Sequence, residues 1–326
     1  MAQFTGSFST YDAADGIREE LGNLIYDISP TDTPLMSNAG RGSVGNVYFE
    51  WLTDSLTAAS STNFVIEGDD LTSYTTASSR VRLGNYTAIS TKTVLVTDTQ
   101  REVNNAGVSE ELAYQVAKMG KELKRDMEKI LCGPQPAAAG DDSNARKTAG
   151  FEAFIRTNAS RSSTSAGDPT LSGTTKGYPD AAPDDGTARA FTDTILKDVI
   201  QQIWTNGGTP KMVIVGPVNK ARASGFTGIA DIRKDAPGAK PATIIGAADV
   251  YVSDFGNVTF VPSRFSREQS ALFVDPEYLE VVYLQPFQLK EMARTGLAEK
   301  RVLSVEYGLK VSTEVAHGIA ADLTTT

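Results

Sequence analysis

Leu112, Val116, Met119, Leu123, Met127 and Ile130 step by four, three, four, four and three along a single segment. Only an α-helix brings such a set onto one face, and a stripe this long needs an equally long surface to pack against. Ser109 is the expected N-cap, with Glu110 and Glu111 favourable at the positive end of the dipole. Gly133-Pro134 is the expected stop, a left-handed glycine followed by a residue that cannot continue a helix. The spacing predicts a spine helix over 109–132, about 35 Å long at 1.5 Å per residue. Its other face carries Lys118, Lys121, Glu122, Lys124, Arg125, Asp126 and Lys129, read as solvated, with i,i+4 pairs such as Lys124 with Glu128.

The segment before the helix sets the second constraint. Val47, Phe49 and Trp51 alternate with Tyr48 and Glu50, the period of a half-buried strand. A return strand is expected from Arg80 to Val96, with Gly84-Asn85 breaking the alternation as a bulge would. Between them lies a Ser/Thr-rich stretch with the acidic cluster Glu67-Gly68-Asp69-Asp70. An isolated hairpin of this kind is at best marginal, so it is expected to lie on another surface, such as a neighbouring subunit. At the N-terminus, Ile17, Leu21, Leu24, Ile25 and Ile28 recur at helical spacing before Ser29-Pro30 ends the run. A helix so short needs a docking surface, and an arm is expected there.

After the spine helix, 134–190 is rich in Pro, Gly, Ala, Ser and Asp, with one apolar island at Phe151–Ile155. Alternating α and β signals follow. A helix is expected over Thr192–Thr205, stopped by Asn206-Gly207-Gly208, and strands over Lys211–Val215, Val250–Ser253, Val258–Val261 and Ala271–Val274. Finally Leu303, Val305, Tyr307, Leu309 and Val311 alternate with Ser304, Glu306, Gly308, Lys310 and Ser312. That predicts a returning strand over 302–313, one face buried and one wet, able to lie along the spine helix.

Candidate chemistry is sparse. Among 326 residues stand one His and one Cys, which excludes a disulfide framework and multi-cysteine zinc sites. His317 has no G-x-S-x-G elbow to serve, so it reads as a packing or surface residue. Cys132 at a helix C-terminus reads as a small buried hydrophobe. Val213–Lys220 lacks the G-x-x-x-x-G-K-[ST] loop that cradles phosphates, and Glu67, Asp69 and Asp70 lack EF-hand spacing. No catalytic, metal or cofactor residues are assigned, no cofactor is expected, and an enzyme is not the expected reading. A formal charge of −9 argues against a broad nucleic-acid footprint. No basic, apolar leader opens the chain, and no apolar run approaches the roughly 20 residues of a bilayer span. A soluble protein of a cytoplasm-like compartment is therefore expected, with no membrane partner.

Ordered stretches along nearly the whole chain resemble one family. They include Ile28-Ser29-Pro30-Thr31-Asp32-Thr33-Pro34-Leu35, Phe49-Glu50-Trp51-Leu52-Thr53-Asp54, and Lys147-Thr148-Ala149-Gly150-Phe151-Glu152. Further on come Gly216-Pro217-Val218-Asn219-Lys220, Ser253-Asp254-Phe255-Gly256, Val305-Glu306-Tyr307-Gly308-Leu309 and Ala316-His317-Gly318. The sequence resembles the major capsid proteins of tailed double-stranded DNA bacteriophages, with the HK97-type fold.

That resemblance implies an α+β chain: an N-terminal arm (1–42), an extended β-hairpin loop (43–88), and a peripheral domain (89–149) carrying the spine helix. An axial α/β domain (150–287) and a return to the peripheral domain (288–326) complete it. It implies a homo-oligomer of hexamers and pentamers in an icosahedral shell around double-stranded DNA held without sequence-specific binding, assembled in the host cytoplasm. Scaffolding is expected as a separate protein, because the arm begins close to Met1. Portal and decoration proteins are further partners that the resemblance allows. Glu67, Asp69, Asp70, Trp51, Ile17 and Leu21 are the inter-subunit contact candidates. The alternatives are an encapsulin-like cargo nanocompartment shell or a small-molecule-binding α/β enzyme.

Overall fold

A computed structural model describes residues 32–68, 70, 74, 79–103, 105, 108–162, 167–173, 176–226, 250–294 and 296–325. In chain order these form α1 (Pro34–Asn38), β1 (Gly40–Ser43), β2 (Tyr48–Thr53), β3 (Val81–Tyr86), β4 (Ala88–Thr97), α2 (Asp98–Glu102) and α3 (Glu111–Leu131). A 3-10 turn at Phe151–Ala153 leads to β5 (Ala159–Ser160), β6 (Leu171–Gly173), β7 (Lys176–Pro179), α4 (Asp193–Thr205), β8 (Met212–Val215) and α5 (Pro217–Ala223). The chain closes with β9 (Val250–Ser253), β10 (Gly256–Pro262), β11 (Ala271–Val274), β12 (Leu279–Glu291), β13 (Ala298–Val311) and β14 (Gly318–Ala320).

The apolar stripe produces α3 as expected, with Leu112, Met119, Leu123, Met127 and Leu131 buried. Its ends differ from expectation. The helix begins at Glu111 behind an extended Glu110 that makes no side-chain cap, so Ser109 does not serve. At the other end Cys132 remains right-handed, and Gly133 is not among the residues with positive φ. The stop comes from Pro134, which disfavours the helical conformation at Gly133 and has no N–H to continue the ladder.

The spine helix lies along a four-stranded sheet ordered β1-β12-β13-β4. β13 pairs antiparallel with β4 from Ala298↔Thr97 to Tyr307↔Ala88. Its alternation is only partly the expected one. Val305, Tyr307, Leu309 and Val311 are buried, but so are Glu306 and Gly308 on the opposite face. That face is covered from Glu306 onward rather than wet, because β2 and β3 pack over it. A Cβ on Gly308 would lie 2.7 Å from Phe49 Cε1, so only glycine admits this approach. β12, the longest unexpected strand, runs through Pro286 beyond the reach of β1, where a strand edge tolerates a missing donor.

A six-stranded mixed sheet, β5-β14-β11-β8-β10-β9, forms the other large unit. β8 serves both of its faces by simple alternation: Val213 and Val215 meet α4 residues Leu196, Val199, Ile200 and Ile203, while Met212 and Ile214 join the core shared with α3. Thr192 caps α4 by accepting from Ile195 N, and left-handed Gly207 (φ 90°) ends it. The island Phe151–Ile155 is buried against Leu123, Met127 and Leu131 and joins the two sheets into one core. A third sheet, β2-β3-β7-β6, stands at the root of the hairpin.

Candidate inter-subunit surface

The expected return strand is two strands that belong to different sheets. β3 pairs with β2 in unbroken register through Gly84↔Glu50 and Asn85↔Phe49, so no bulge lies at Gly84-Asn85. The change occurs at Thr87, after which β4 joins β13. Asn85 is fully buried there and holds the junction. Its amide donates to Leu309 O (2.7 Å) and Thr148 Oγ1 (3.1 Å) and its oxygen accepts from Ala149 N (2.9 Å) and Tyr86 N (2.8 Å). Beside it, buried Glu306 accepts from Thr87 Oγ1 (2.8 Å) and pairs with Arg146 (2.8 Å). Asn85, Thr87, Glu306 and Arg146 thus each find partners within this network.

Beyond the root, the described part of the 54–80 connection leaves its side chains in solvent. Leu56 is 99% exposed, Phe64 87% and Tyr74 90%, with Val65 and Ile66 similarly open. Each apolar side chain of that size forgoes roughly 1.5–3 kcal/mol by staying in water. Glu67 and Asp70 follow the Phe64-Val65-Ile66 triad and are exposed. Asp69, Ile17 and Leu21 lie outside the described residues. Trp51 is half-buried within its own chain, stacked on Phe49 (5.9 Å) and tilted against Phe154 (6.1 Å). The far end of the four-stranded sheet is a second open apolar surface, with Leu95, Leu289, Met292 and Leu297 exposed. Charge there gathers on Glu299, whose carboxyl Arg301, Arg101 and Arg294 hold below the usual range, Arg301 foremost.

The attachment of α1 to the spine helix rests on one carboxylate. Glu128, expected on the solvated face of α3 beside Lys124, is fully buried. Its Oε1 accepts from Leu35 N (2.7 Å) and Oε2 from Met36 N (2.9 Å). These are the first free amides of α1 after Pro34, and Thr33 makes no side-chain cap to them. An acid 93 residues away therefore supplies the N-cap of α1. Burial pushes the Glu128 carboxyl up, against the pull of the two amides.

Two further buried titratable groups are structural. His317 Nδ1 accepts from Asp275 N (3.2 Å) and its ring stands edge-on to Phe151 (5.2 Å). Burial holds the imidazole down at about 4. Glu152 is buried with Arg267 3.7 Å away, and burial pushes it up to about 7 despite that guanidinium. The two act in opposite senses. Unfolded His binds a proton that the folded chain refuses, so its share of stability is lost as pH falls from about 6.5 to 4. Folded Glu152 keeps a proton that the unfolded chain releases, so its share is lost as pH rises from about 4.5 to 7. Each amounts to about 3 kcal/mol across its window. Urea unfolding against pH is expected to show H317F losing the acid-side decline and E152Q losing the opposite one. Unchanged pH slopes in both variants would contradict these assignments. Among the described residues no group of three or more His, Cys, Asp or Glu could hold a metal, and no helix is long and apolar enough to cross a membrane.

An open-tipped hairpin on a rooted junction, beside a spine helix and a long returning strand, has counterparts among known proteins. The major capsid protein of Escherichia phage Phieco32 is 26% identical over 347 positions, covering 96% of both chains. A chain from the capsid of cyanophage A-1(L) superposes with a TM-score of 0.68 at 12% identity, covering 98% of this chain and 100% of that one. The SrpI encapsulin of Synechococcus elongatus PCC 7942 also superposes, at 0.56 and 11% identity over 98% and 97% of the chains, a likeness of fold alone. The family model of the SU10 major capsid protein matches residues 3–324. Matched from end to end, the chain belongs to that family, and it is a major capsid protein of a phage, a structural protein of the virion capsid with the HK97-type fold.

Proposed function

We propose that the chain assembles as hexamers and pentamers of an icosahedral head, built in the host cytoplasm, that encloses double-stranded DNA without reading its sequence. The observation that carries this reading is the hairpin tip: Leu56, Phe64, Val65, Ile66 and Tyr74 are open to water on a chain whose body is well packed. A neighbouring subunit in the shell would cover them. On this reading 1–42 is an arm, 43–88 an extended loop, 89–149 and 288–326 the peripheral domain and 150–287 the axial domain. Ile17 and Leu21 of the arm, Trp51 at the hairpin base and Glu67, Asp69 and Asp70 at its tip would contact adjacent subunits, the acids meeting Lys or Arg. The backbone ordering of arm and tip, roughly 1–2 kcal/mol per residue, would then be offset only on assembly.

Electron microscopy of the purified assembly with assay of its nucleic acid tests the reading. Closed shells holding double-stranded DNA are expected. Monomers or dimers alone, or shells holding a cargo enzyme in place of DNA, would overturn it. Replacing Phe64, Val65 and Ile66 together with Ser is expected to abolish shells while leaving the melting temperature of the free subunit unchanged, because these side chains touch little of their own chain. Reversing Glu67, Asp69 and Asp70 to Lys is expected to weaken assembled particles. Particles of undiminished yield and stability after charge reversal would remove those three acids from the interface.

A further inference from the structure

The charges of the spine helix are distributed unlike those of the chain. The whole protein carries −9, yet the open face of α3 presents Lys118, Lys121, Lys124 and Lys129, with Arg125 half-exposed between them. Lys118, Lys121, Arg125 and Lys129 step by three, four and four, which lines their cations along one edge of the helix over about 17 Å at 1.5 Å per residue. Of the acids of the same helix, Glu111 accepts from Gln115 Nε2 (2.6 Å), and half-buried Glu122, though on the same face, forms no ion pair with them among the described residues. Glu128 is buried beneath α1, and Asp126 is taken up by Lys92 from β4 at 2.8 Å. None of these five cations has a carboxylate within ion-pair distance among the described residues. Arg125 lies over the Phe265 ring (5.4 Å), which places exposed Arg264 beside it, and Arg264 and Lys129 line the same cleft between α3 and the 264–267 loop.

Such a row is unlike the interior of a protein interface, where Lys is depleted and apolar anchors dominate. Around it the helix exposes only Ala113 and Ala117 among its apolar side chains. The acidic hairpin tip would be an ill-matched occupant, because its acids follow the bare triad Phe64-Val65-Ile66, which needs an apolar receiver. The end of the four-stranded sheet, with Leu95, Leu289, Met292 and Leu297 open beside Lys290 and Arg294, has that character. A straight, largely exposed line of cations suits a regular polyanion instead, bound through its phosphates with no demand on sequence.

We propose that the open face of α3, from Lys118 to Lys129 and continued by Arg264, is a genome-facing surface that contacts the phosphate backbone of packaged DNA. The inference rests on the reading that the shell encloses double-stranded DNA. Such a stripe would set a local cationic surface on a chain whose formal charge is −9.

The test compares lysine reactivity in DNA-filled heads and in empty heads of the same chain, using reductive methylation read by mass spectrometry. Lys118, Lys121, Lys124 and Lys129 are expected to react more slowly in filled heads than in empty ones, while Lys290 and Lys211 react alike in both. Four phosphate contacts also make the protection salt-sensitive, with binding weakened on the order of a hundredfold between about 50 and 200 mM salt. Equal reactivity in filled and empty heads overturns the proposal. If the lysines are fast in both, the face is turned outward. If they are slow in both, a neighbouring subunit covers it. Virions that contain no DNA would instead defeat the reading of the shell itself. Heads carrying Lys→Gln at all four positions are expected to assemble normally, since these side chains are exposed, and to show a shallower salt dependence of DNA retention than the parent heads. Variant heads with wild-type salt sensitivity would count against the contact.

Discussion

Replacing Glu128 with Leu is expected to destabilise the subunit by about 3–5 kcal/mol, because it strands the buried Leu35 N and the part-buried Met36 N, at roughly 1–3 kcal/mol each, Leu35 N the more costly. Leu fills the space of the acid but accepts nothing, and Thr33 is not placed to cap in its stead. E128Q, which keeps one accepting oxygen, is expected to lose about half as much. At about 2–4 °C per kcal/mol for a chain of this size class, the Leu variant would melt on the order of 10 °C lower. Hydrogen exchange supplies the site-specific reading. The Leu35 and Met36 amides should exchange faster in both variants, and most in E128L, than amides in the centre of α4. A Leu variant that melts like the parent, with those two amides still protected, would show that the carboxylate is not the cap of α1.

The second large effect is expected at the hairpin root. N85A removes two donors and an acceptor at once and leaves Leu309 O and Ala149 N without that partner in the core, and part-buried Tyr86 N as well. A cost of about 3–5 kcal/mol follows for a buried network broken from one side. N85D is expected to be nearly as damaging, because it retains the acceptor but buries a carboxylate against the Leu309 carbonyl oxygen, which can only accept. Beyond the melting temperature, assembly should suffer out of proportion. Asn85 joins β3 both to β13 and to the 148–149 segment, so it sets the direction in which the hairpin leaves the body. Sedimentation of assembled against free protein reads this directly. Parental melting and parental shell yield in N85A would remove Asn85 from that role.

What could be read from the chain alone depended on how regular the burial was. α3, α4 and the apolar half of β13 pack with a single period that appears in the sequence, and β8 and β11, buried on both faces, stand out as short continuous apolar runs. β12 does not. Val281 and Val282 are both buried, and its register with β13 shifts at Tyr283/Gln285 and again at Gln285/Gln288 around Pro286, so no alternation survives to be recognised. Polar residues were misread where burial made them structural. Asn85 resembled a bulge because a strand rarely buries an amide, and Glu128 resembled a surface acid because Lys124 stood four residues away. A signal for Glu128 did exist: Met127, Ile130, Leu131 and Cys132 widen the apolar arc of the last turns beyond one stripe, which implies a second packing partner on that side. The partner is α1. Of the site residues, the open tip with Glu67 and Asp70 stands exposed, whereas Trp51 packs against its own chain more than a purely external contact would require.

Only Thr87 separates the last residue of the hairpin from the first residue of β4. Seen mechanically, tip and sheet are therefore one cable with a single joint in it. A pull on the tip reaches the body at Ala88 and travels along β4, whose hydrogen bonds to β13 lie across the line of force from Ala88↔Tyr307 to Thr97↔Ala298. Loaded this way the bonds share the tension and must give way together, whereas a strand peeled from its edge would lose them one after another. A shell strained from within would thus hand its load to the longest unbroken pairing among the described residues, in the direction in which that pairing is hardest to tear.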